Sequence, residues 1–211
     1  MKYFSKADIE KENRIKRLNI INAISGIKPG NLIGTKSKKN GSNLAVFSSV
    51  VHLGSSPALL GFILRPTGNV LRNTYSNILE TGKYTINHIH ISMIEKAHYT
   101  SAKFDESISE FKMCGLTESY LHSFEAPFVE ESVIKMGMNY IDTIPIPVNG
   151  TKMVIGEIQH LILPNESISE EGYVDLSLSN SIGVGGLNNY YELNKTVEFP
   201  FARPSNIPDF N

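Results

Sequence analysis

A chain of 211 residues, 41% of them hydrophobic, is long and apolar enough to bury a sizeable core, which excludes a disordered polypeptide. Its 20 Lys and Arg stand against 21 Asp and Glu, a formal charge of −1, so there is no net positive field to hold a nucleic-acid backbone or an anionic membrane, and neither partner is expected. Cys114 is the sole cysteine, residues 1–19 are charged throughout, and no apolar run approaches the roughly 20 residues that span a bilayer; a cytoplasmic location is expected.

In chain order, residues 6–25 carry Ile9, Ile15, Leu18, Ile21 and Ile24 at helical spacing, with Gly26 placed to end the helix. LIGTKS and SNLAVFSSVV flank Asn40-Gly41 and read as a hairpin. ALLGFIL (58–64), held between Pro57 and Pro66, reads as a strand buried on both faces. Arg72, Asn73 and Thr74 crowd the start of a helix that Gly82 closes, and YTINHI (84–89) is a further strand. Ser92 with Glu95 and Ser107 with Glu110 have capping-box spacing for two short helices, the second ending at Gly115. IKMGMNYIDTIPIPV and TKMVIGEIQHLIL form a long hairpin about Asn149-Gly150, and VDLSLS (174–179) reads as a last strand. Two long hairpins, buried strands and short helical insertions predict a mainly β fold, a β-barrel with short helices. No repeat or linker divides the chain. A single domain over 1–211 is expected, with an N-terminal helical segment (1–25) and an extended tail (195–211).

Common catalytic signatures are missing. GVGG (183–186) lacks the spacing of a dinucleotide loop and reads as a turn or bulge; GTKSKKNGS lacks the closing Gly-Lys-Ser/Thr of a P-loop; no Gly-x-Ser-x-Gly elbow occurs. Cys114 sits at a helix C-terminus, where the dipole raises a thiol pKa. Gly82, His88, His90 and Glu95 resemble the first metal motif of cupins, but no second motif supplies further ligands, and a cupin-like metal-binding protein remains a minor alternative. The helix mouth at 72–74 is more telling. Unpaired amides at a helix start favour an anion, and Arg72 and Arg65 would reinforce a phosphate there; Asn73 or Thr74 would equally serve as an ordinary N-cap.

Three stretches taken together resemble the flavin reductase-like family of FMN-binding split barrels. NLAVFSSVVHLGSSPALLGFILRP (43–66) is similar to its Ser-Ser and Ser-Pro signature with a buried strand, RNTYSNILETGKYTINHI (72–89) to its helix-then-strand unit, and HYTSAKFDESISEF (98–111) to its hydroxyl-rich segment leading into an acidic-aromatic helix. GEIQHLIL (156–163) and GLNNYY (186–191) fit its later strand and its close. Asn73 stands where related sequences often carry histidine. The resemblance implies a homodimer with one FMN per subunit near the interface. Arg65, Asn73 and Thr74 would meet the phosphate, and Ser48 and Ser49 the ribityl chain or phosphate, unless those two hydroxyls simply bond neighbouring backbone. Ala45, Val46 and Phe47 would run beside the isoalloxazine; Ser101, Ala102 and Lys103 form the second flavin segment, with the lysine near the pyrimidine end. His160 and Tyr190 would face the substrate side or else pack an interface. No protein acid or base is required, since a flavin carries the redox chemistry. The implied activity is an NAD(P)H-dependent flavin reductase, with NADH or NADPH as donor and a small-molecule acceptor or a redox partner protein. The alternative is a flavoredoxin-like FMN electron carrier reduced by a protein partner.

Overall fold

A computed structural model of the chain describes residues 1–66, 73–105 and 107–210. The elements run α1 Lys6–Lys11, α2 Arg14–Ala23, β1 Lys28–Pro29, β2 Asn31–Ser37, β3 Gly41–Phe47, β4 Val51–Ser55, β5 Ala58–Leu64, α3 Asn73–Thr81, β6 Lys83–His88, α4 Ile94–Tyr99, α5 Glu110–Met113, β7 Glu118–Ser119, β8 Phe128–Val129, β9 Lys135–Ile146, β10 Thr151–Ile162, β11 Ile182–Gly185 and β12 Asn189–Glu192.

The core of the fold is a seven-stranded sheet in the order β3-β2-β6-β9-β10-β5-β4, antiparallel at every pairing. Both Asn-Gly hairpins form where the sequence places them, and Gly41 (φ 82°) and Gly150 (φ 72°) supply the left-handed backbone that the turns need. Strands β3 and β4 are the opposite edges of this sheet, yet only residues 48–50 join them. Laid flat, those edges would stand roughly 29 Å apart at about 4.8 Å per strand step, whereas the link reaches roughly 14 Å at most. The sheet therefore curls into a barrel. Ser49 fastens the seam. Its hydroxyl accepts from the Ile63 amide (3.1 Å) and donates to the Ile63 carbonyl (3.2 Å), two positions past the last β4–β5 pair, Val51 with Gly61.

Alternation along the strands sorts side chains into two cores. Ile33, Phe62, Ile78, Tyr84, Ile86, Met138 and Val154 fill the barrel, with Phe62 edge-on to Tyr84 at 5.8 Å. Leu32 and Leu44 point the other way and meet Ile89, Met93, Ala97 and Phe111, so α4 and α5 cover that face of β2 and β3 together with Ile182 and Val184 of β11. Strand β5 departs from burial on both faces. Phe62 and Leu64 are buried, while Ile63 is half-buried on the far side.

Local chemistry overrides the pattern at four places. The helix read over 6–25 is two helices, because Asn13 accepts from the amides of Ile15 and Lys16 and so caps α2, while Ser5 and Asp8 form a capping box for α1. Neither predicted capping box forms. His90 Nδ1 accepts from the Ser92 amide (3.2 Å) at a 3₁₀ turn over Ile91–Met93, and the Glu110 carboxylate accepts from the Leu44 amide of β3 (3.0 Å). VDLSLS is not a strand: Asp175 accepts from the Ser177 amide (2.9 Å) and the Ser179 hydroxyl donates to the Leu176 carbonyl (2.9 Å), local bonds that compete with a ladder. The last sheet is built instead from β1, β11 and β12, and most of GVGG lies in β11 rather than in a turn.

Candidate functional site

A cavity of about 680 Å³ opens where the barrel seam, the start of α3 and the segment after α4 converge. Its floor is β3, through Ala45, Val46 and Phe47; the seam brings Ser48 and Ser49, and the end of β5 brings Arg65. Asn73 and Thr74 enter from the first turn of α3, and Ser101, Ala102 and Lys103 from the segment after α4. Stretches separated by more than fifty positions in the sequence thus share one cleft. The phosphate role read for Arg72 falls outside the described residues.

One end of the cleft is rich in donors. Thr74 is 7% exposed, and its Oγ1 accepts from Asn43 Nδ2 at 3.1 Å, leaving the Thr74 hydrogen free to donate. Asn43 also donates to Thr35 Oγ1 (3.3 Å), which accepts from Asn77 Nδ2 as well (3.1 Å). This buried amide and hydroxyl cluster ties β2, β3 and α3 together and fixes the Thr74 side chain. Arg65 adds a guanidinium at the lip. Ser49 shows the backbone bonding that was the alternative reading of its hydroxyl. Its donor is committed to the Ile63 carbonyl, so the structural role weighed for it is filled and only acceptor capacity remains.

At the other end, His98 Nδ1 lies 3.0 Å from the Tyr190 hydroxyl, with the rings edge to face. Burial pushes the Tyr190 phenol upward. A shallower depression lined by Ile91, Ile94, Glu95 and Tyr99 shares this His98–Tyr190 wall. His160 is not brought to the cleft. It stacks on His122 (6.0 Å) and meets Phe124 edge-on (5.3 Å), on β10 where it pairs with Gly137 of β9. His88 and His90 do not pair either: His88 Nδ1 faces Ser181 Oγ (3.2 Å), His90 caps the 3₁₀ turn, and no group of metal-ligating side chains occurs among the described residues. The Cys114 thiol is pushed up by burial and then by Glu110 beside it.

Several lining residues escape a sequence reading. Ile21, Asn22 and Ser25 of α2, Lys28, Phe104 and Glu110 all border the cleft, as do Leu187 and Asn188. Asn43 carried a usable signal, being an amide on the same strand face as Ala45 and Phe47. Glu110 did not, because its capping-box spacing suggested another partner.

The cleft has the volume of a site for a ligand of cofactor size. Its walls pair an apolar strand with hydroxyl, amide and guanidinium donors, a set that suits a flat ring system bearing an anionic tail. Comparison with known proteins agrees. The model of the flavin reductase like domain matches residues 27–177. A candidate flavin reductase with split barrel domain from Shewanella frigidimarina NCIMB 400 is 40% identical, with 96% of this chain and 100% of that chain covered and a TM-score of 0.91. The 2-nitrobenzoate 2-nitroreductase NbaA of Pseudomonas fluorescens is 20% identical over 100% of both chains with a TM-score of 0.80, a likeness of fold. An uncharacterised protein of Aquifex aeolicus (strain VF5) is 26% identical over 121 residues, 56% of this chain and 61% of that relative's length. With the curled sheet, the seam and the cleft arranged as described, the chain belongs to the flavin reductase-like family and has its split-barrel fold.

Proposed function

We propose that the protein is an FMN-binding oxidoreductase, an NAD(P)H-dependent flavin reductase. The observation that carries this reading is the convergence of β3, the seam, the start of α3 and residues 101–103 on one cleft with donors clustered at one end. Arg65, Thr74 and the α3 amides would hold the phosphate, a charge-assisted set at a helix start. Ser48 would reach the ribityl chain, and Ala45, Val46 and Phe47 would support the ring. Lys103 would oppose negative charge at the pyrimidine end. Bound FMN supplies the redox chemistry, accepting a hydride from a reduced nicotinamide and passing electrons to a small-molecule acceptor. The residues of the chain bind, orient and exclude water; none has to act as acid or base. Tyr190 and His98 would border the donor and acceptor side.

A homodimer acting in the cytoplasm is part of the same proposal. It is supported by apolar side chains such as Val51, Leu53 and Ile144 left exposed on the outer sheet. The test is direct. The purified protein should show a flavin spectrum that bleaches anaerobically with NADH or NADPH. A flavin-loaded protein inert to both nicotinamides would instead be an electron carrier reduced by a protein partner. A protein that takes up no flavin would refute the proposal.

A further inference from the structure

Glu110 is a buried carboxylate whose position needs an account. Its side chain comes from the first residue of α5, is 8% exposed and borders the cleft. Oε2 accepts the Leu44 amide of β3 at 3.0 Å. Part of the reason is plain. Strand β3 pairs only with β2, so the N–H groups along its free edge need acceptors, and α5 supplies one.

That need would be met equally well by the neutral carbonyl of a glutamine. Burying a charge costs far more than burying an amide. Desolvation pushes the Glu110 carboxyl up, against the stabilising N–H groups of Leu44 and of Glu110 itself. Among the described residues no ion pair neutralises it, and it is the sole carboxylate lining a cleft that Lys28, Arg65 and Lys103 also border. Lys28 is spent on the Asn22 carbonyl (2.6 Å). The edge of β3 accounts for the hydrogen bond but not for the charge.

We propose that Glu110 is a positioning residue for the β3 wall whose negative charge lowers the reduction potential of the flavin held in this cleft. The inference rests on the flavin reading above. When an oxidised flavin ring takes up two electrons from a hydride donor or dithionite, with one proton, it gains a negative charge. A fixed carboxylate at the cleft wall disfavours that charge and leaves the ring a stronger reductant.

Wild type and E110Q, both loaded with FMN, are titrated against a reference dye from about pH 4 to about pH 8, spanning the glutamate and imidazole ranges. E110Q keeps an acceptor for Leu44 and loses only the charge. The expected result is a reduced-to-oxidised affinity ratio about tenfold higher in E110Q, a rise of about 30 mV for a two-electron couple. The difference in potential between the two proteins should also change with pH as Glu110 titrates, narrowing as the carboxylate takes up its proton. Other groups near Glu110 are Cys114 and Lys112 on α5, Glu118 through Ser42 of β3, and Lys28, Arg65, Lys103, His98 and Tyr190 around the cleft. All are present in both proteins and cancel in the difference. A ratio unchanged within twofold would overturn the inference and leave Glu110 as an edge cap alone. Should E110Q fail to fold, the same comparison is made with Glu110→Asn, which also removes the charge and keeps an amide carbonyl, and a ratio unchanged within twofold there would equally overturn the inference. A wild type that holds no flavin would instead remove the flavin reading itself.

Discussion

Removing Arg65 and Thr74 together tests where an anionic tail would dock. Thr74 Oγ1 is the acceptor for one amide hydrogen of Asn43, itself 8% exposed, so Thr74→Ala deletes a donor to the ligand and orphans a buried N–H. The lost donor is worth about 1 kcal/mol, and the orphaned amide costs about 1–3 kcal/mol of stability whether or not ligand is bound. Arg65 is exposed at the lip, so its charge-assisted contact is discounted to about 1–1.5 kcal/mol. The double variant should bind FMN more weakly by about 2–2.5 kcal/mol, roughly 30- to 60-fold at about 1.4 kcal/mol per tenfold. Riboflavin has no phosphate, and its affinity should stay within about threefold. Fluorescence-quenching titrations with FMN and riboflavin on both proteins measure this. Equal losses for the two ligands would place the phosphate elsewhere, and unchanged FMN affinity would refute the assignment of this end of the cleft.

Two further outcomes concern stability. The Tyr84 hydroxyl is fully buried with no hydrogen-bond partner among the described residues, its phenol pushed upward by desolvation, so Tyr84→Phe should stabilise the fold by about 1 kcal/mol and raise the Tm by about 2–4 °C; a lower Tm in thermal denaturation would show that the hydroxyl has a partner. Burial holds His88 neutral and depresses its pKa to about 4. Between pH 6.5 and 4 the unfolded chain binds a proton that the folded chain refuses, so this contribution is complete above about pH 6.5 and is lost as pH falls toward 4. Urea melts should show wild type losing about 2 kcal/mol more than His88→Gln between pH 7 and pH 5, and parallel losses would contradict the assignment.

Much of the fold is legible along the chain because its signals are local. An Asn-Gly pair has few backbone options, so both hairpins and their registers follow from short stretches. Gly82 (φ 70°) ends α3 by the same logic, and the apolar run at 58–64 is a strand because Pro57 and Pro66 bound it. The ordered set of family-like stretches also named most of one wall of the cleft, since residues 45–49 are consecutive and 101–103 follow a short helix.

What the tertiary structure alone decided depends on competition between partners far apart in sequence. Glu110 had a capping partner three residues away, and a β3 amide 66 positions away won it, because the free edge of a strand leaves a donor that burial would otherwise orphan. Ser49 was divided between ligand and backbone until barrel closure brought Ile63 to it. His160 shares its strand with residues of the barrel core, but whether it faced the cleft or packed against His122 and Phe124 rested on the route of a distant loop. The lining from α2 has no local signature either. Periodicity and turn chemistry report each residue's own backbone, and the curl of the sheet sets which surfaces meet.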